Sequence, residues 1–105
     1  MTFKLTPNPT FWAKVDIPVP GGEPQALEIE FRHKRKTWGL GLVERIRAGE
    51  ISGLDAVREI IVDWRGAERE FSDAELVELD ENFIGAIDAI LFAYPEALRG
   101  ARRKN

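Results

Sequence analysis

The feature that most constrains the fold is a pair of short segments, residues 11–17 and 27–31, in which apolar and polar side chains alternate. Alternation with a period of two is typical of a β-strand that buries one face. Between the segments lies a cluster of residues that can continue neither a strand nor a helix: Pro18, Pro20, Gly21, Gly22 and Pro24. The sequence therefore predicts an antiparallel β-hairpin over residues 10–34, with apolar side chains on one face and charged side chains on the other.

The rest of the chain, residues 37–103, has the spacing of three to four residues that is typical of amphipathic helices. A first helix is predicted from Thr37 to a stop at Gly49, with an apolar stripe of Trp38, Leu42 and Ile46. A second helix is predicted from Ser52 or Gly53 to Gly66, and its apolar stripe is Leu54, Val57, Ile60, Ile61 and Trp64. Both Trp38 and Trp64 are thus predicted to lie in the core.

Two further helices are predicted in the last third of the chain. Ser72 and Glu75 have the spacing of a capping box, which satisfies backbone N–H groups at a helix start. Asn82 is predicted to cap the last helix, whose apolar stripe is Phe83, Ile87, Ile90, Leu91, Tyr94 and Leu98. Because Pro95 lacks a backbone donor, we expect that helix to kink there or to restart with Pro95 in its first turn.

These elements predict an α+β fold, in which an N-terminal antiparallel hairpin is followed by about four helices. An isolated hairpin is at best marginally stable, so we expect its apolar face to pack against the helices. The length of 105 residues fits one small domain, residues 1–105, with the hairpin over 10–34 and a helical part over 37–103.

Composition excludes several kinds of catalytic and metal site. The absence of cysteine excludes disulfides, thiolate metal sites and cysteine nucleophiles, and the single histidine excludes multi-histidine metal sites. His33 has no evident partner, because Ser52 and Ser72 are explained as helix starts, so it is interpreted as a strand-end histidine. The acidic stretch 68–81 is interpreted as a solvated helix face, with Mg²⁺ binding or acid–base chemistry as the less favoured alternative. We therefore expect no catalysis, no cofactor and no metal.

The charge pattern leaves two kinds of partner open. Fifteen Lys and Arg residues against eighteen Asp and Glu give a net charge of −3, which argues against a dedicated nucleic-acid binder. The basic run at residues 32–36 nevertheless leaves a small nucleic-acid-associated regulator as the alternative function. The same run can equally dock a protein partner or a second copy of the chain.

Trp12 has the opposite phase from the apolar residues of its strand, so it is predicted either to contact a partner or simply to cover the sheet edge. The candidate partner-binding residues are therefore Trp12, Arg32, Lys34, Arg35 and Lys36.

No segment has the pattern of a membrane anchor or a signal peptide. The most apolar stretch, residues 83–94, contains Asp88 and is shorter than the roughly 20 residues that a spanning helix needs. Residues 1–9 are polar and contain proline, unlike a signal peptide. We expect a cytoplasmic protein without a membrane partner.

Four motifs occur together towards the end of the chain. They are Val62-Asp63-Trp64-Arg65-Gly66, Phe71-Ser72-Asp73-Ala74-Glu75-Leu76, Tyr94-Pro95-Glu96-Ala97-Leu98 and the terminal Arg102-Arg103-Lys104-Asn105. With the acidic spacer and the alanine- and isoleucine-rich helix between them, they resemble a family of phage tail assembly chaperones found in tailed phages and prophages. The second half of the chain carries this resemblance, and the hairpin fits it more loosely.

The resemblance implies a non-enzymatic protein that binds the long, helical, hydrophobic tape measure protein and keeps it soluble. It also implies that tail tube protein polymerises around this client with the chaperone's help. Self-association into a homo-oligomer around the client, action in the bacterial host cytoplasm and absence from the finished virion are further implications. An extended amphipathic client aggregates unless its apolar stripes are covered, and many weak contacts can cover it and still be displaced.

Overall fold

A three-stranded antiparallel sheet lies along one side of the molecule in the computed structural model, which describes residues 2–100. Its strands are β1 (Thr10–Ile17), β2 (Gln25–Arg32) and β3 (Ile61–Arg65), in the order β1-β2-β3. β1 and β2 pair from Thr10 opposite Arg32 to Ile17 opposite Gln25. The predicted hairpin is thus confirmed, with its turn in the proline and glycine cluster.

Alternation along the hairpin separates the two faces of the sheet as predicted. The inner face buries five apolar side chains: Val15, Ile17, Leu27, Ile29 and Phe31. Trp12, Lys14 and Glu28 lie exposed on the outer face. The inner face is therefore the floor of the hydrophobic core, and the helices have to cover it.

Four helices follow the hairpin. They are α1 (Lys36–Arg47), α2 (Gly53–Ile60), α3 (Asp73–Asn82) and α4 (Ala86–Arg99). α2 and α4 pack on the inner face of the sheet, and α3 packs against both of them. The predicted α+β class, with an N-terminal hairpin and about four helices, is confirmed.

The predicted second helix is wrong in its second half. α2 ends at Ile60, and residues 61–65 form β3, which pairs with β2. Trp64 lies opposite Ile29, whereas Ile61 lies opposite Phe31, because β3 contains one extra residue at this bulge. The bulge lets Ile61 and Trp64 both face the core although they are three residues apart, so a strand here has the apolar spacing of a helix.

Several helix boundaries follow from local chemistry. The Ser52 and Ser72 hydroxyls accept hydrogen bonds from the N–H groups of Asp55 and Glu75, so both predicted helix starts are confirmed. α1 ends in a Schellman motif. The N–H of Gly49, which has a φ of +74°, donates to the Ile46 carbonyl, and the N–H of Glu50 donates to the Arg45 carbonyl.

The predicted cap of the last helix is wrong, and of the two alternatives predicted for Pro95, a kink or a restart, the restart is excluded. Asn82 is the final residue of α3 and donates from its amide to Glu78, so it does not cap α4; Gly85 occupies that N-cap. α4 also continues past Pro95 to Arg99 and does not restart there.

In the described part of the chain no helix is long and apolar enough to cross a membrane. The terminal motif at residues 102–105 lies outside the described residues.

Candidate functional site

α1 is attached to the rest of the fold along only one of its sides. Leu42 is its only buried residue, and Trp38 is half-buried with its ring edge-on to Tyr94, at a centroid distance of 6.5 Å. Arg45 adds a salt bridge of 3.1 Å to Glu59 of α2. The prediction that Trp38 lies in the core therefore holds only in part, because this ring closes the edge of the core.

The opposite side of α1 carries a second row of residues, Lys36, Leu40, Val43 and Arg47, which we call the α1 stripe. Its spacing of four, three and four residues places all four side chains on one helix face. Leu40 is 65% exposed and Val43 is 51% exposed, although both are large and apolar. Ile46, which was predicted to lie in the same apolar stripe as Trp38 and Leu42, is also exposed.

Cations stand at both ends of the α1 stripe. Lys36 opens the helix directly after Arg35, the N-cap residue, and Arg47 closes it. Neither Lys36 nor Arg47 forms a salt bridge with another described residue. The stripe is therefore an exposed apolar centre with a positive charge at each end.

Two residues of the predicted basic run make contacts within the fold. Arg32 donates from its guanidinium to the Ile61 carbonyl at 2.9 Å, while its own carbonyl accepts a hydrogen bond of 2.7 Å from the Tyr94 hydroxyl. Lys34 places its ammonium group 5.0 Å from the centre of the Trp38 ring. The exposed cations that the run leaves at the start of α1 are Arg35 and Lys36.

Trp12 lies on the outer face of the sheet. The Arg65 guanidinium lies over the Trp12 ring, 4.0 Å from the ring centre, and also donates a hydrogen bond of 2.8 Å to the Glu28 carboxylate. Trp12 remains 38% exposed. The structure thus brings Lys34, Arg35 and Lys36 together at the start of α1 and leaves Trp12 on a different surface.

A groove of about 420 Å³ lies between the turn end of the hairpin and α3. Its floor is apolar and includes Ile17, Leu27, Trp64, Leu79 and Phe83. Glu68, Glu75 and Glu78 line its rim together with Arg69, whose guanidinium bonds Glu75 at 2.8 Å and Glu68 at 3.0 Å. These carboxylates raise the pKa of Arg69, with Glu75 as the main cause. Among the described residues no group of three acidic or histidine side chains is placed to hold a metal ion.

Burial changes the pKa of Tyr94, the residue that joins α4 to the hairpin. Removal of its phenol from water raises its pKa to about 12. The protonated hydroxyl donates to the Arg32 carbonyl. His33, by contrast, is exposed just beyond β2, and its backbone N–H donates to Pro9 at 2.8 Å, as expected for a histidine at a strand end.

Comparison with known protein families gives a match to this sequence over its whole length. A sequence model described as phage tail assembly chaperone matches residues 1–105. The chain belongs to the phage tail assembly chaperone family. No curated protein and no solved structure shows significant similarity to it. The family match includes the hairpin as well as the motifs of the second half.

Sequence reasoning missed the exposed apolar centre of this chaperone. Leu40, Val43 and Arg47 were not among the predicted partner contacts, although Lys36 of the same stripe was. The signal was available, because residues 36, 40, 43 and 47 repeat at helical spacing one face away from Trp38 and Leu42. Periodicity alone does not say which of two apolar faces turns towards the core.

Proposed function

We propose that this tail assembly chaperone binds the tape measure protein as its client, through the α1 stripe. The observation that carries the proposal is the exposure of Leu40 and Val43 on a helix that already packs its other side through Trp38 and Leu42. Adjacent large apolar side chains turned towards water make no contribution to the core. Such patches are typical of interaction surfaces.

The charges of the stripe indicate which client segment fits. Lys36 and Arg47 lie eleven residues apart in the sequence, or about 16 Å along the helix axis at 1.5 Å per residue. A client helix with an apolar stripe and acidic residues about three turns apart matches both the apolar centre and the two cations. Tape measure helices with this pattern are therefore the clients we expect.

The remaining parts of the proposal rest on family membership. We infer that the chaperone acts without catalysis or a cofactor in the host cytoplasm, and that it is absent from the finished virion. Several copies associate around one client and leave it as tail tube protein polymerises. A small apolar surface on each copy suits this cycle, because many weak contacts cover a long client and are displaced one at a time.

Co-expression with the tape measure protein of the same phage tests the client role. The wild-type chaperone is expected to keep the client in the soluble fraction, and the double variant Leu40→Glu, Val43→Glu is expected to lose this activity. Phe92→Glu is the matched control, because Phe92 is 78% exposed on α4, outside the stripe. A double variant that folds and still keeps the client soluble would exclude the α1 stripe as the binding surface.

The charges are tested separately from the apolar centre. Lys36→Glu with Arg47→Glu should weaken binding to a client with acidic flanks. A client segment whose acidic residues are exchanged for lysine should recover binding to that variant and lose binding to the wild type. Equal binding of all four combinations would contradict the charge argument while leaving the apolar contact in place.

A further inference from the structure

β1 is an open edge of the sheet. In the part of the chain that the structure describes, no strand lies on the side of β1 away from β2. The strand is eight residues long, has no internal proline and pairs with β2 without a bulge, whereas the other edge, β3, is shorter and bulged. A long and regular open edge is a template for pairing with another strand.

The register with β2 shows which backbone groups face outwards. The N–H of His33 donates to the carbonyl of Pro9 at 2.8 Å, so residues 9 and 33 form a hydrogen-bonded pair. Because hydrogen-bonded and non-bonded pairs alternate in an antiparallel ladder, the odd-numbered residues of β1 point their backbone groups at β2. The N–H and C=O groups of Trp12, Lys14 and Asp16 therefore point away from the sheet.

Space for a further strand lies along this edge. A groove of about 680 Å³ is lined by side chains from both faces of β1, which places it at the strand's open side. Its other wall is formed by α4 and its C-cap residue, and most of the residues there are small: Ala89, Ala93, Ala97 and Gly100, together with Glu96. The small side chains keep the helix from blocking the edge.

The geometry points to antiparallel pairing of β1 with β1 of a second copy, about a two-fold axis that passes through Val15. In this register Lys14 of one copy lies opposite Asp16 of the second, and the symmetric contact repeats the pair. Both residues point their backbone groups outwards, so each pair exchanges two hydrogen bonds. A two-fold axis at Lys14 would instead place two lysines opposite each other, which is destabilising.

The charges already present across the sheet favour the same register. Lys14 lies opposite Glu28 on β2, and Glu28 lies opposite Arg65 on β3, to which it is bonded at 2.8 Å. Asp16 of the second copy continues this row, so that the signs alternate from Arg65 to Glu28, Lys14 and Asp16. Pairing joins two three-stranded sheets into one of six strands and covers residues 13–17 of the open β1 edge in both copies.

The proposed function includes the association of several copies of the chain around one client. This interface specifies how two copies associate, and to that extent it rests on the proposed function. The oligomeric state is measured without a client, however, so the two proposals can fail independently. The full chain is expected to form a dimer in analytical ultracentrifugation. Asp16→Lys makes two attractive pairs repulsive and should raise the dimer dissociation constant about tenfold or more. The double variant Lys14→Asp, Asp16→Lys restores opposite charges across the interface and should lower the dissociation constant again relative to Asp16→Lys, although position 14 then carries the same charge as Glu28 opposite it.

Cysteine cross-linking provides a second test, in a chain that has no cysteine of its own. Val15→Cys places two thiols across the two-fold axis, at the Cα separation of about 4.5 Å that a non-bonded pair has and a disulfide accepts. Oxidation should therefore give a covalent dimer. Ala13→Cys is the control, because Ala13 lies opposite Ile17 of the second copy and should not cross-link.

Three outcomes would overturn the inference. They are a monomer at all concentrations, a dimer indifferent to the charge at position 16, and equal cross-linking of the two cysteine variants. A chain that stays monomeric alone, and whose β1 edge becomes protected from hydrogen exchange only with the client, would assign the edge to the client instead of a second copy. Loss of the dimer in Asp16→Lys with retained client solubility would separate this interface from the α1 stripe.

Discussion

Replacement of Trp64 with alanine tests whether β3 belongs to the core. The Trp64 side chain is 7% exposed and packs edge-on against Phe71, at a ring-centroid distance of 5.1 Å. Its indole N–H donates to the Arg69 carbonyl at 2.9 Å. One side chain thus joins β3 to the segment that leads into α3.

The expected cost is the sum of two contributions. Truncation of a buried tryptophan to alanine costs about 3–5 kcal/mol of unfolding free energy, through lost burial and the cavity left behind. The lost hydrogen bond adds little, at most about 1 kcal/mol, because Arg69 is exposed and water can reach its carbonyl in the variant. For a chain of this size we expect the melting temperature to fall by about 12 °C or more.

Urea unfolding followed by far-UV circular dichroism is the assay, since it does not depend on the tryptophan signal. Trp12→Ala is the matched control, with the same substitution on the same sheet at a residue that is 38% exposed. It loses the contact with Arg65 and should cost about 1 kcal/mol or less. Trp64→Phe, which keeps an aromatic ring but no donor, should fall between the two.

Equal destabilisation by Trp64→Ala and Trp12→Ala would refute this reasoning. It would mean that Trp64 is not buried in solution and that β3 does not pack as described. A change in the denaturant slope without a change in midpoint would also count against it, because a cavity lowers the free energy of unfolding while leaving the surface exposed on unfolding nearly unchanged.

Three further predictions concern the fold. Tyr94 is the only tyrosine, and since its pKa is raised to about 12 in the folded state against about 10 when unfolded, its contribution to stability is complete below pH 10 and is lost as the pH rises towards 12. Phenolate absorbance should titrate near 12 in the native chain and near 10 in denaturant, and a native midpoint near 10 would contradict its burial. Gly49→Ala should cost about 1 kcal/mol because of its positive φ, whereas Gly41→Ala, with open space around it, should gain about 0.5–1 kcal/mol; thermal melts that rank them the other way would contradict the Schellman motif. Ser72→Ala should cost about 1 kcal/mol by removing the N-cap of α3, and Ser72→Asp, which keeps an acceptor, should melt close to the wild type.

The hairpin was predictable because its signals are local and agree with one another. Alternation in residues 11–17 and 27–31 determines which side chains face inwards, and the prolines and glycines between them leave only a turn. The serine caps of α2 and α3 were predictable for the same reason, since each bond spans three residues. Local patterns of this kind require no knowledge of the rest of the fold.

β3 was not predictable in the same way, because its partner residues lie 30 to 37 positions away in the sequence. Ile60-Ile61-Val62 is apolar whether it continues a helix or begins a strand, and the bulge at Val62 gives Ile61 and Trp64 helical spacing. Only the pairing of residues 61–65 with Glu28 to Phe31 of β2 determines that they form a strand and not a helix. A contact of this range leaves no trace in the periodicity of either segment.

The exposure of the α1 stripe was unpredictable for a different reason, although its spacing is visible in the sequence, and that reason also bears on what the stripe can do. α1 has apolar residues on two faces, and contacts with other helices decide which face turns inwards. Trp38 packs against Tyr94 of α4, and Arg45 forms a salt bridge with Glu59 of α2. These few contacts hold the helix in place, so its outer face is positioned without deep burial of the helix. An element with few buried contacts opens at a lower free energy than the core strands do. In the proposed chaperone, this places the client-binding helix where it can adjust to different client segments while Ile29, Phe31 and the rest of the sheet core stay packed.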